Sequence, residues 1–346
     1  MKYVPFLKLK TNEIRAIGDL NEDLKKNVIP FFDISYQANM TEDLLEENLI
    51  AMKKHLLKSL DNKYLYIDDN DHIDADYKNY YIVLDTLRDL NIIPVISLNR
   101  EEERIDDVKA FLDESETNNR VAFRLFLEDI ESFRFIQEEF LEYYEYFSSK
   151  VNNIDIIIDL RVIIGERIDY IANRINKFLD ELNSTCDVNK IIVTGSSIEG
   201  NISTNTEETI TRLEYLLWNK LNIHNFENIV YGDYTIVSPD YVEPTMSVTL
   251  MPNVMTPKVF YTYADSFFAK RGSAFKTHED GYGQYFTFAK KIMKKRYYRG
   301  RDFSVGDNYI YERGVVPRAP KIKSGSPSSW IRATVNSHIT YMTSHF

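Results

Sequence analysis

Eight short apolar runs, rich in β-branched and aromatic residues, recur along the chain as far as Thr235, and amphipathic stretches separate them. The runs are YVPFLKL from Tyr3, VIPFFDI from Val28, YLYID from Tyr64, IIPVISL from Ile92, VAFRLFL from Val121, IDIIIDL from Ile154, KIIVTG from Lys190 and IVYGDYT from Ile229. Each is long enough for one buried strand and too short for a helix. The stretches between them, such as EDLLEENLIAMKKHLLKSL, place apolar residues three and four apart with charges between, the pattern of a helix that covers a sheet. A spacing of roughly 30 residues is that of a repeated βα unit. Eight units predict an α/β fold, a closed (β/α)8 TIM-like barrel. An open doubly wound sheet is the alternative, but it carries a glycine-rich first turn, and here KTNE follows the first run. Pro5, Pro30 and Pro94 fall near strand starts, where a missing amide donor is tolerated.

A barrel of this kind takes about 250 residues, so the 346-residue chain leaves room for an addition. Residues 1–240 are assigned to the barrel, and residues 241–346 to a basic, aromatic-rich C-terminal extension packed on it. The extension breaks the βα rhythm. A helix is expected over YGQYFTFAKKIMKKRYY, followed by turn-rich sequence with Gly300, Gly306, Gly314 and Gly325, and GVVPRAPKIKSGSPSSW reads as a loop.

Charge divides along the same line. From Pro257 onward there are 16 Lys plus Arg against 6 Asp plus Glu, a balance of +10; the rest holds 26 against 47, a balance of -21. A basic segment of this kind either docks on the acidic barrel or meets an anionic partner. The lone cysteine, Cys186, excludes an intrachain disulfide framework. No run approaches a membrane span and the N-terminus lacks an apolar signal core, so a soluble cytoplasmic protein is expected. The six histidines form no HExxH or His-x-His pair, no metal site is expected, and the residues name no cofactor. The acidic run DDNDHIDAD, Asp68 to Asp76, lacks the glycine and terminal glutamate of a calcium loop and reads as a solvated loop.

Alternate strand residues face the lumen, and barrel sites gather where the strands end. Parity along each run selects Lys8 and Lys10, Asp33 and Ser35, Asp68, Ser97 and Asn99, Arg124 and Glu128, Asp159 and Arg161, Thr194 and Ser196, and Asp233. Inward-facing, they form a ring of cations and carboxylates suited to a polar or anionic ligand; turned otherwise, they cap helices and pair across the mouth. Asp159 and Arg161 could form an oriented ion pair, Lys8 or Lys10 an anion clamp, and the TGSS turn a phosphate cradle. In the extension, Lys290 to Arg301 combines seven cations with Tyr297 and Tyr298, which suits nucleic-acid phosphates and bases or, equally, a solvated amphipathic helix.

The opening YVPFLKLKTNEIRAI followed by VIPFFDI resembles the bacteriophage beta protein family of phages and genomic islands, whose molecular function is unassigned. The likeness continues in AKRG, GYGQYF, FSVGD and SSWIRATVNSHI, nearly the whole chain. It implies that barrel and extension act as one unit, that Lys8, Lys10, Glu13, Arg271, Ser304, Asp307 and Trp330 are candidate ligand-binding residues beside Arg124 and Arg161, and that the role lies in phage–host conflict. Two functions stay open. One is a binding or effector protein whose barrel mouth takes an anionic ligand, nucleic acid or protein partner. The other is a hydrolase of a phosphorylated or nucleotide substrate, with Asp33, Asp159 or Asp233 as acid, base or metal ligand.

Overall fold

The computed structural model describes residues 3–34, 40–69, 79–98, 100, 102–115, 119–200, 203–221, 223, 226–240, 251–315 and 322–345. The eight apolar runs form eight parallel strands: β1 (Val4–Lys8), β2 (Phe31–Asp33), β3 (Leu65–Asp68), β4 (Ile92–Ile96), β5 (Arg120–Phe126), β6 (Asn153–Val162), β7 (Lys190–Ser196) and, after β8 (Glu207–Thr211), β9 (Ile229–Asp233). They close in the order β1-β2-β3-β4-β5-β6-β7-β9, with helices between, as the periodicity predicts. The seam joins Val4 to Gly232 and Pro5 to Asp233. A side chain on Gly232 would press within 3.0 Å of the Val4 carbonyl and 3.1 Å of Phe6 and Ile192, so closure there needs glycine.

Side chains of both parities are buried. Val4, Phe6, Phe31, Tyr66, Ile93, Val95, Ala122, Ile157, Ile192, Val230 and Tyr234 fill the lumen, while the opposite faces of the strands join the shell of helices in one larger core. Phe6 and Phe31 stack with centroids 4.2 Å apart. The lumen is therefore a packed plug below the barrel mouth.

β8 lies in the segment assigned to the barrel but leaves it. With β10 (Lys258–Tyr263) and β11 (Ser266–Arg271) it forms an antiparallel sheet in the order β10-β11-β8. Helices Gln284–Met293, Val305–Gly314 and Pro327–His345 complete the extension. Its core gathers Tyr261, Phe268, Tyr285, Phe288 and Trp330, with Tyr285 and Trp330 stacked at 4.9 Å. The expected helix over Tyr282 to Tyr298 is shorter than the pattern implied, ending at Met293.

The basic extension docks on the acidic barrel. Arg332 makes a two-pronged pair with Asp19 at 2.6 and 2.7 Å, and Asn336 donates to the Ala16 carbonyl at 3.1 Å, while Lys291 and Lys295 pair with Glu207 of β8 at 2.7 and 3.0 Å, within the extension's own sheet and helices. No helix of the described residues is long and apolar enough to cross a membrane.

Helix Val305–Gly314 crosses Pro327–His345 at Gly306, where an added Cβ would collide with the Ala333 carbonyl. Gly306→Ala is expected to destabilise the protein by about 1–3 kcal/mol, the usual cost of overpacking a tight contact. Urea unfolding would check it; a midpoint unchanged from wild type would show that the contact yields.

Candidate functional site

Arg124 stands at the top of the lumen plug, fully buried. Its guanidinium donates to Asp33 at 2.9 Å, to Asp68 at 2.6 Å, to Asp159 at 2.9 and 2.5 Å, and to the Tyr234 hydroxyl at 2.8 Å. Tyr234 in turn donates to Asp159 at 2.6 Å. Three carboxylates from β2, β3 and β6 thus share one cation from β5. Lys8 adds a charge 3.7 Å from Asp33, and Arg100 grips Asp68 with two bonds at 2.5 and 2.7 Å. Arg104 pairs with Asp69. Burial alone would raise Asp68, but Arg100, then Arg124 and Arg104, outweigh it and hold the carboxyl well below its usual range.

Parity therefore reads correctly for Lys8, Asp33, Asp68, Arg124 and Asp159. The hydroxyls of Ser97 and Thr194, also chosen by parity, are buried and make no hydrogen bond among the described residues. Ser35, Asn99 and residues 70–76 of the acidic run lie outside the described residues.

Three positions depart from the expectation. Lys10 lies beyond the end of β1 and precedes helix Thr11–Gly18. Glu128 is exposed, because the chain turns after Phe126 into a 3-10 turn at Asp129–Glu131. Asp233 faces outward: on β9 it is Val230 and Tyr234 that fill the lumen, with Gly232 between them, so its neighbours on the strand turn to the shell. There Asp233 accepts from Tyr3 at 2.5 Å and Arg212 at 3.1 Å, and His338 Nε2 lies 3.1 Å from both its oxygens. Burial pushes His338 below its ordinary value, so near neutrality the imidazole meets Asp233 as a neutral donor, with Nδ1 accepting from Thr262 at 2.7 Å. The lasting counter-charge of Asp233 is Arg212. This cluster latches the extension to the barrel wall.

The cleft lies elsewhere, between the mouth and the extension. It encloses about 670 Å³, part of it open to solvent, and is lined by Lys8, Lys10 and Glu13 from the end of β1 and the helix after it, Gly200 after β7, and Ile236, Val237 and Ser238 after β9. The extension supplies the other wall: Lys258 and Phe260 from β10, Ile331 and Thr334 from the C-terminal helix. Glu13 is buried, and its Oε2 accepts from the Lys8 amide at 2.6 Å. Burial pushes its carboxyl up to about 7, against the pull of Lys10, of that hydrogen bond and of Lys8. Arg161 stands at a bulge in β6 with φ of 52°. The bend lets its amide donate to Asp159 at 2.9 Å, while its guanidinium reaches Asp240 at 2.8 Å.

A family model described as Beta protein matches residues 3–344. The chain belongs to the Beta protein family. No curated protein matches it.

Within this Beta protein chain, the remaining candidates belong to the extension's own framework. Ser304 caps helix Val305–Gly314 by accepting from the Asp307 amide at 2.9 Å. Asp307, fully buried, accepts from Tyr261 at 2.6 Å, Ser304 at 2.6 Å and Ser337 at 2.7 Å. Trp330 donates to the Ser324 carbonyl at 2.9 Å. Arg271 donates to Thr256 at 2.8 Å and is paired in register with Lys258. In the Lys290 to Arg301 cluster, Tyr297 stacks on Tyr263 at 3.7 Å, Tyr298 donates to the Asp307 carbonyl at 3.0 Å, and Arg299 holds Thr262 and Ser337. Exposed cations remain at Lys294, Arg296 and Arg301. Among the described residues no group of three His, Cys, Asp or Glu could hold a metal.

Parity applied to the lumen of β9 would have found Tyr234. Lys258 and Phe260 gave no such signal, because β10 lies where the βα rhythm has stopped.

Removing Arg124 leaves Asp33, Asp68 and Asp159 facing one another in a buried site. Arg124→Met is expected to cost about 3–5 kcal/mol at pH 7, the usual loss when one member of a buried ion cluster is deleted. Without Arg124 the Asp68 carboxyl loses one of the cations that lower it, so the variant's deficit grows as pH rises above the ordinary carboxylate range and shrinks as pH falls through it. Denaturant midpoints at pH 4.5 and 8 compare the two; a deficit equal at both would contradict the assignment.

Proposed function

We propose that the cleft between the barrel mouth and the extension is a binding site for a small anionic ligand. The observation that carries this reading is the meeting of Lys8, Lys10 and Lys258, from two separate parts of the fold, on the border of one concave space. Phe260, Ile236, Val237 and Ile331 give that space an apolar lining, and Ser238 and Thr334 add hydroxyls. Such a mixture, mostly apolar with a few convergent polar groups, is typical of small-molecule sites. Cations bordering apolar surface attract an anion more strongly than they would in open water.

The hydrolase reading has less support. Asp33 and Asp159 converge, yet both are bound to Arg124, and Asp159 also to Tyr234, which keeps their lone pairs directed inward. Asp233 is on the other side of the barrel wall. Nucleic acid at Lys290 to Arg301 loses its stacking partners, since Tyr297 and Tyr298 are engaged within the extension. In the phage and genomic-island setting that the family resemblance implies, the site would sense or sequester an anionic small molecule during phage–host conflict.

Sulfate, compared with chloride at matched ionic strength, tests the reading. Specific binding adds about 2.7 kcal/mol of stability at a hundredfold excess over Kd, so the wild-type melting temperature should rise with sulfate. Lys10→Met combined with Lys258→Ala should abolish most of that rise. An equal response in the double variant would place the anion elsewhere.

A further inference from the structure

The cleft that borders three lysines also contains a carboxyl group. Glu13 is 3% exposed, on the first turn of helix Thr11–Gly18, and lines the same space as Lys8, Lys10 and Lys258. One of its oxygens is fixed by the Lys8 amide. An ionised carboxylate there opposes any anion that enters, and burial in an apolar-walled cleft leaves little water to screen the repulsion. A protonated carboxyl has the opposite effect, because its O–H can donate to an anion's oxygen.

We infer that the cleft takes up its anion together with a proton, and that Glu13 is the group that receives it. The inference rests on the anion-site reading above. The charged groups near Glu13 agree with the assignment. Lys8 and Asp33 reach it from the barrel strands, Lys10 from the start of its own helix, and Lys258 from β10 across the cleft; the C-terminal helix contributes Ile331 and Thr334 to the lining, neither of them ionisable. Asp33 is held by Arg124 and Lys8, and burial together with Arg271 lowers Lys258. Glu13, pushed up to about 7 by burial, is the cleft group that changes charge there. The proton comes from solvent, and no bond to the anion is formed or broken.

The sign follows. If the anion binds only when Glu13 is protonated, its apparent affinity scales with the protonated fraction, nearly constant below pH 6 and falling tenfold per pH unit above about 7. Sulfate is the probe, since it does not titrate in this range. Wild-type Kd for sulfate, measured by calorimetry at constant ionic strength, should weaken by about tenfold or more between pH 6 and pH 8.5. At pH 7.5, in two buffers of different ionisation enthalpy, binding should take up most of one proton. Glu13→Gln keeps an acceptor for the Lys8 amide and mimics the neutral acid, so its Kd should stay within about twofold of the wild-type pH 6 value at both pH values, with no proton uptake. Sulfate binding by the wild type without pH dependence, or an undiminished pH dependence in Glu13→Gln, overturns the role of Glu13 while leaving the anion site standing. No sulfate binding at either pH overturns both. Should Glu13→Gln fail to fold, the proton uptake of the wild-type protein decides alone.

Discussion

The mouth of this barrel depends on the charge balance around Arg124. Asp33, Asp68, Asp69 and Asp159 stand against Lys8, Arg100, Arg124 and, from the helix after β4, Arg104, nearly all removed from water. A buried ion costs several kcal/mol unless its partners are close and its hydrogen bonds are complete. Here one planar guanidinium satisfies acids from three strands at once, which a lysine's compact ammonium could not do with the same geometry. The cluster therefore ties the upper ends of β2, β3, β5 and β6 to one another, and Tyr234 extends the tie to the residue after β9. The weight of the cluster lies in positioning: Lys8 is directed by Asp33, and the Lys8 amide in turn holds Glu13.

Why some of this was legible in the sequence and some was not is a matter of periodicity. A strand buried on both faces reads as an apolar run, so a polar residue that interrupts it late is conspicuous, and its parity gives its direction. Lys8, Asp33, Asp68, Arg124 and Asp159 were found in that way. Parity fails where the reference residue is a glycine. On β9 the crowded seam requires Gly232 on the lumen side, which leaves no large side chain to mark that face, and parity alone points Asp233 inward. The method also stops where the strand stops, as with Lys10 and Glu128. The extension was less legible still, because β8, β10 and β11 form a small sheet whose strand β8 is nearly all exposed and carries no apolar run. Its residues Asp307 and Trp330 stand out in the sequence through their setting and turn out to build the extension's core.

The charge asymmetry between the two parts has a structural use. The extension reaches the barrel through the Arg332 and Asp19 pair and through the buried set of Tyr3, Arg212, Asp233 and His338. That pair is partly exposed, and pairs of that kind contribute little. The buried set is different, since moving His338 away would leave Asp233 with an incomplete shell in a region closed to water. The docking geometry is thus fixed chiefly by a few buried polar contacts.

That geometry bears directly on the cleft. Neither wall suffices by itself: the barrel alone presents Lys8, Lys10 and Glu13 at an open rim, and the extension alone presents Lys258, Phe260 and Ile331 on one sheet and one helix. Brought together, they enclose a space in which cations face an apolar surface and a carboxyl has lost most of its hydration. The match of the Beta protein model to residues 3–344 spans both walls. On the proposed reading, a ligand touching both walls would add its own binding free energy to the docking of the extension. The latch at Asp233 and His338 then acts on the site from outside it, by setting how firmly the second wall is held.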